Sequence, residues 1–374
     1  MKFVVSSTAL LSHLQAVSRV INSKNNMAIL DNFLFQIEGS ILKITASDLE
    51  TTMITSMDIV DVEGEGNVAV AAKLLLDTLR EFSEQPLTFE IDDENLAMVI
   101  YSDNGQYNFI GQNGDDYPRL PVMPESTNAI ALDIAILNDS IQSTFFAMGD
   151  DELRPVMNGI FFDITPEKMT VVATDAHKLV RFQNEEARGE SAYSYILAKK
   201  AANMLRSILP KESGEVLIRF DEKNICFTLP TYTLYARQIE GRYPNYSAVI
   251  PRDNPYKVIV DRFILLNAVK RVSVFSNQGT SLIKLRIEED KIVISAQDID
   301  FSISAEETIR CQYEGEPLSI GFKSSFLIDI INNLTSESII LELSDPSRAG
   351  IFLPFEQPEG ENILMLLMPM LLNN

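Results

Sequence analysis

The chain has 374 residues and a formal net charge of −22, with 46% hydrophobic and 22% charged residues. That length exceeds what one hydrophobic core usually serves, so two or three domains are expected, and the composition excludes a disordered chain. Two cysteines, Cys226 and Cys311, cannot make a disulfide framework and lack metal-ligand spacing, so both are read as buried, reduced thiols.

The start, Met1-Lys2-Phe3-Val4-Val5-Ser6-Ser7, has no apolar core after its lysine, so no signal peptide is expected. The longest apolar run, residues 363–372, contains Pro369 and is too short to span a bilayer. A cytoplasmic protein without a membrane partner is the expectation. Uniform acidity repels phosphates, so a nucleic-acid partner requires basic residues gathered on one face.

In chain order, Leu10, Leu11, Leu14, Val17 and Ile21 have helical spacing and follow the capping residues Ser6 to Thr8. Strand patterns at 33–37 and 42–44 flank a hairpin turn at 38–40. The second strand runs into Ile44-Thr45-Ala46-Ser47-Asp48-Leu49. A second helix is expected around Leu74, Leu75, Leu79 and Phe82, ending before Pro86.

The same grammar returns twice. Leu137, Ile141, Phe145 and Met148 follow Asp133, then come strands at 160–164 and 169–172 and the segment Val172-Ala173-Thr174-Asp175-Ala176-His177. Met204, Leu205, Ile208 and Leu209 mark the next helix, stopped at Pro210. In the third copy Phe263, Leu266, Val269 and Val272 follow the N-cap candidate Asp261. Strands at 282–287 and 292–294 lead into Ile294-Ser295-Ala296-Gln297-Asp298-Ile299, and Phe326, Leu327, Ile330, Ile331 and Leu334 form the last helix.

Asp48, Asp175 and Asp298 thus recur about every 125 residues, one ordinary domain length. The expectation is three like domains at residues 1–123, 129–251 and 252–374, with proline-bearing linkers near 123–129 and 251–255. Two amphipathic helices and several short strands per copy predict an α+β fold, helices on one face of antiparallel sheet. The aspartates are read as braces for a turn, since carboxylates bond nearby backbone N–H groups.

Positive charge concentrates in the helical segments: Arg19, Lys24, Lys73 and Arg80, then Lys199, Lys200, Arg206 and Lys211, then Lys270, Arg271 and Lys323. Acidic residues gather in strand and loop stretches. This segregation suits one face toward a phosphate backbone, although basic residues decorate any solvated helix. No aromatics interleave with the bases, so contact is expected to be blind to sequence.

Met1-Lys2-Phe3, Ala46-Ser47-Asp48-Leu49-Glu50, Met157-Asn158-Gly159, Ala173-Thr174-Asp175-Ala176-His177-Lys178-Leu179, Gly241-Arg242-Tyr243-Pro244-Asn245-Tyr246 and Leu367-Met368-Pro369-Met370 stand in order along the chain. In that order and spacing the whole length resembles the bacterial sliding clamp, the beta subunit of DNA polymerase III.

The resemblance implies three clamp domains forming half of a six-domain ring, closed by a homodimer around double-stranded DNA. It implies a non-catalytic processivity factor with no cofactor or metal. The DNA channel would carry Lys24, Lys73, Arg80, Lys199, Lys200 and Arg206. A tyrosine pair that some members carry before the Met157 position is replaced here by Pro155 and Val156, so that contact is not carried over.

Partners implied are the DNA polymerase III catalytic subunit, the clamp loader, and other polymerases and repair factors, all through short peptides. The matching cleft is Met157, Thr174, Ala176, His177, Lys178, Leu179, Pro244, Val249, Leu366, Leu367, Met368, Pro369 and Met370. Its methionines and leucines suit an adaptable apolar groove, while the run from Leu366 equally fits a last core strand. In the tail, Leu371 stands where a basic residue is common, and Asn373 and Asn374 extend the end.

The subunit contact would use Tyr107 and Phe109 against Val274 and Phe275, residues that also read as ordinary core. His177 beside Asp175 invites a general-base reading, but no nucleophile with matching context accompanies them. The alternatives are an acidic peptide-binding scaffold without DNA encirclement and a three-domain hydrolase, for which no Gly-rich phosphate loop or G-x-S-x-G pattern is present.

Overall fold

A computed structural model describes residues 1–22, 25–119, 123 and 128–372. Lys24, the residues 120–122 and 124–127 of the first linker, and Asn373 and Asn374 lie outside the described residues. Six α-helices are described: α1 (Ser7–Val17), α2 (Ala72–Arg80), α3 (Ile134–Thr144), α4 (Lys199–Ile208), α5 (Arg262–Ser273) and α6 (Ser324–Asn333). Every strand pairing among the described residues is antiparallel.

The chain divides into two compact units, one of Met1–Asn138 with Lys200–Gln238, the other of Asp139–Lys199 with Ile239–Asn374. In the first, a five-stranded sheet accompanies a nine-stranded sheet. Helix α1 packs on Lys2–Ser6 of the former and on Ile41–Ser47 and Thr51–Asp58 of the latter, and against α2. Its start is capped as the sequence implies: the Ser6 hydroxyl accepts from the Ala9 N–H at 3.1 Å. The nine-stranded sheet is continuous because Thr51–Asp58 of the first repeat pairs with Tyr232–Arg237 of the second, Thr55 opposite Tyr232.

The second unit follows the same plan. Lys178–Asn184 of the middle repeat pairs with Glu361–Leu367 of the third through seven opposed residues, from Lys178↔Leu367 to Asn184↔Glu361. Helix α5, capped by Asp261 accepting from the Ile264 N–H at 2.8 Å, lies on the four-stranded sheet and packs against α6. The strand Leu282–Glu288 shows why: Ile283, Leu285 and Ile287 are buried while Lys284 and Arg286 alternate outward.

The middle repeat therefore gives four strands to each nine-stranded sheet. Sequence repeats count copies of a pattern, whereas compactness follows hydrogen-bonded sheets, so the compact units divide the middle copy. The three expected hairpins are present, with Glu38↔Ile41, Ile164↔Met169 and Glu288↔Lys291 closing their turns. Not every apolar helical residue faces a core. Phe263 is 54% exposed beneath the Arg262 guanidinium, 4.0 Å from its ring, and Leu74 is exposed on α2.

Candidate functional site: a cleft walled by the chain's tail

The repeated aspartates do one job three times. Asp48 Oδ1 accepts from the Glu50 and Thr51 N–H groups at 3.0 and 2.7 Å. Asp175 Oδ1 accepts from His177 and Lys178 at 2.9 and 2.8 Å, and Asp298 Oδ1 from Asp300 and Phe301 at 3.0 and 3.4 Å. The second oxygens are also taken: Asp48 by Lys200, Asp175 by Lys178 Nζ at 2.6 Å, Asp298 by Asn277 at 3.3 Å. Asp175 is thus spent on its own turn, and the His177 ring lies instead over Phe326, centroids 5.8 Å apart. This is a brace and not an acid–base pair.

In the second unit this turn, through the Met368 N–H bonded to the His177 carbonyl, borders a cleft of mixed apolar and polar lining. Its floor is the packed face of the joined sheets, where buried Val172, Leu179, Leu364 and Leu366 meet Tyr243, Ala349 and Ile351, with Val156, Phe161 and Ile250 beside them. Phe161 stacks flat on Tyr243, centroids 4.7 Å apart, and burial pushes the Tyr243 phenol above its ordinary pKa. Above the floor opens a cavity of ≈ 590 Å³ lined by residues 247–253, by Ser347, Arg348 and Ala349, and by Met368. Arg252, Asp253 and Arg348 place charged groups in this lining.

Of the expected cleft residues, the fold brings together Leu179 and Leu366 in the floor and Val249 and Met368 on the cavity wall. Val249 and Met368 are 56% and 43% exposed, an open apolar surface. Pro244 sits beside Tyr243 and accepts the Tyr246 N–H at 2.7 Å. Thr174 is buried and ties the turn, its hydroxyl donating to the Lys178 carbonyl at 2.8 Å and accepting from the Ala176 N–H at 3.1 Å. Ala176 bends the turn in the left-handed region, φ 74°. The Met157 carbonyl accepts from the Gly149 N–H at 2.8 Å, and the half-buried side chain is absent from the cavity lining.

Leu367 departs from expectation. It is fully buried, and alternation along Glu361–Leu367 turns it to the opposite side of the sheet from Leu364 and Leu366. Leu364 takes its place in the floor. The run divides at Leu367: the last strand ends there in buried residues, and residues 368–372 beyond it are exposed or partly exposed.

Sequence reasoning missed Phe326 and Lys323. The Lys178 and Lys323 ammonium groups lie 4.3 and 4.8 Å from the Phe326 ring centroid, and His177 stacks on it. Burial raises the pKa of nearby Asp329, with Lys178 opposing the shift. Phe326 reads in sequence as one more apolar helical position, and only the fold sets it beside residue 177. Tyr243 did carry a signal, inside the Gly241-to-Tyr246 motif.

The helical bases are less uniform than their sequence positions suggest. Lys73 is exposed. Arg80 pairs with Asp77 at 2.9 Å, and Lys199 lies 3.7 Å from Asp150. Lys200 is committed inside the first unit, donating to the Val20 carbonyl and Asn22 Oδ1, each at 2.6 Å, and to Asp48. Burial lowers the pKa of Arg206.

Of the residues expected at a subunit contact, Tyr107 is 38% exposed against Phe82, while Val274 and Phe275 are 74% and 37% exposed. Phe109, at 7% exposure, has its side chain in the core of its own unit, as the alternative reading has it, and the neighbouring Ile110, 83% exposed, is an apolar residue that faces out.

Comparison with known proteins agrees along the whole chain. Family models for the DNA polymerase III beta subunit match in order: the N-terminal domain at residues 1–121, the central domain at 131–245 and the C-terminal domain at 247–371. The beta sliding clamp of Pseudomonas aeruginosa is 26% identical over 371 residues, covering 99% of this chain and 100% of that protein. That of Haemophilus influenzae is 28% identical over 369 residues, covering 98% and 99%. Solved structures of DnaN sliding clamps from Pseudomonas aeruginosa and Bartonella birtlesii, both bound to griselimycin, superpose with TM-scores of 0.93 and 0.91 at 25% and 29% identity, covering all of both chains. Three clamp domains of helices on antiparallel sheet, matched end to end, place the chain in the DNA polymerase III beta subunit family, the non-catalytic DNA sliding clamps.

Proposed function

We propose that two copies of this chain join head to tail into a six-domain ring that encircles double-stranded DNA and tethers polymerase. The observation that carries this reading is a pair of free sheet edges. Gly105–Ile110 ends the five-stranded sheet and Ile303–Arg310 ends the four-stranded sheet. An unpaired edge invites another strand. Beside the first lie exposed Tyr107 and Ile110, and beside the second Val274, Phe275, Ile299, Phe301 and Ile303. Joining the first edge of one copy to the second edge of another is a heterologous contact, which closes as a ring after two copies.

Helical bases face the DNA in this reading: Lys73, Arg80, Lys199 and Arg206, while Lys24 lies outside the described residues. Lys200 braces the wall, and its committed ammonium contributes little to phosphate contact. A ring stays on DNA because it cannot leave sideways, so few phosphate contacts and a shallow salt dependence are expected. The cleft takes short peptides of the polymerase III catalytic subunit, the clamp loader, and other polymerases and repair factors, whose apolar anchors fill the cavity at Val249 and Met368. No described helix is long and apolar enough to cross a membrane, and the DNA partner argues for a cytoplasmic site of action. Domain boundaries near 123–129 and 251–255 fit this use.

The deciding experiment is retention on DNA. The protein loaded on nicked circular DNA should stay bound through gel filtration and be released when the circle is cut. Equal retention on cut and uncut DNA would overturn the ring.

A further inference from the structure

The tail beyond the last strand is held at two points. The Met368 N–H donates to the His177 carbonyl and the Met370 N–H to the Gly321 carbonyl, each at 2.8 Å. Gly321 lies in Leu318–Lys323, an edge strand of the four-stranded sheet, and an isolated bridge joins it to Met370. Pro369, between the anchors, has no N–H and a restricted φ, so a shift at 370 is passed to 368.

Gly321 is not in the left-handed region, so its backbone does not require glycine. Space does. A Cβ there would meet Leu372 Cδ2 at 2.8 Å, Leu282 Cδ1 at 2.9 Å and the Met370 carbonyl oxygen at 2.9 Å. The leucine tips can rotate away, but the carbonyl is backbone and moves only with the tail.

We propose that Gly321 is the positioning residue that seats the tail and so sets the Met368 wall of the peptide cleft. This rests on the cleft reading above. Gly321 does not line the cavity, so its influence runs through the tail. Any side chain at 321 lifts Met370 from the edge strand, and Met368 leaves its place across from Val249.

The test uses the full chain and two variants that reach the anchor from opposite sides: Gly321→Ala, which crowds it, and Met370→Pro, which removes its donor and leaves the sheet untouched. Griselimycin serves as the probe, with its Kd measured by calorimetry and amide hydrogen exchange followed through residues 368–372. Both variants should weaken the probe by about tenfold and speed exchange at Met368 and in the tail by at least that factor, the scale of one lost anchor and its packing. Unchanged exchange and unchanged Kd in both variants would overturn the proposal, as would faster exchange with unchanged Kd. Failure of the unmutated protein to bind the probe would instead count against the cleft reading, and tail exchange would still report whether Gly321 seats the tail.

Discussion

The Lys200 ammonium is hydrogen-bonded to the Asp48 carboxylate 152 positions earlier, and that carboxylate is only 5% exposed. The lysine also holds Val20 and Asn22, so one side chain ties α4 to the turn of the first repeat. Removing it leaves a shielded charge unpaired. Lys200→Met should lower stability by about 1–3 kcal/mol, below the roughly 3–5 kcal/mol of a fully buried pair because the lysine is about one-third exposed. Lys199→Met should change it by less than about 0.5 kcal/mol, since its partner Asp150 is 90% exposed. Thermal denaturation of the two variants compares them directly, and equal losses would remove the distinction.

Deletion of residues 368–374 should abolish binding of a labelled peptide from the polymerase III catalytic subunit, read by fluorescence polarisation, while leaving the dimer. The cut belongs after Leu367, because that residue is core. Leu366→Ala, which hollows the floor, should cost about 2–5 kcal/mol of stability as well. A deletion variant that binds the peptide normally would refute the cleft.

Val274 and Phe275 both changed to Ala should give monomers by analytical ultracentrifugation. Ile110→Asp should do the same from the opposite surface, by setting a charge into an apolar contact. Phe109→Ala should instead lower the melting temperature, as its side chain fills a core. Dimers persisting at low concentration in both surface variants would move the contact elsewhere.

His13 offers a pH signature. Its Nδ1 lies 2.6 Å from Thr55 Oγ1, with the Tyr232 ring beside it, and burial lowers its pKa while Glu212 opposes. The folded protein then binds this proton more weakly than the unfolded chain. Its stabilising contribution is complete above the ordinary histidine value of about 6.5 and is lost as pH falls from there to the folded value. The melting temperature should fall more steeply below about pH 6.5 in the unmutated protein than in His13→Gln. Parallel curves would exclude His13 as the cause.

Much of this molecule was legible from residue order. The three turns at Asp48, Asp175 and Asp298 repeat because each uses the same local bonds, from one carboxylate to N–H groups two and three positions on. The caps at Ser6 and Asp261 and the three hairpins are equally local. The alternation of Leu282–Glu288 declares which face is buried before any partner is known.

Contacts between distant segments were not legible. Local pattern marks Leu364, Leu366 and Leu367 as one apolar run, and only the pairing of Lys178–Asn184 with Glu361–Leu367 decides which of them floor the cleft. Lys200 resembles any helical base until the fold brings it to Asp48, and Phe326 any helical apolar residue until it meets His177 and Lys178. Sequence by itself determined the repeated modules, their elements and the family resemblance, because these depend on near neighbours and periodicity. Tertiary structure alone decided which bases are free, where the cleft wall stands and why residue 321 has no side chain, because those depend on which remote atoms compete for the same space and charge.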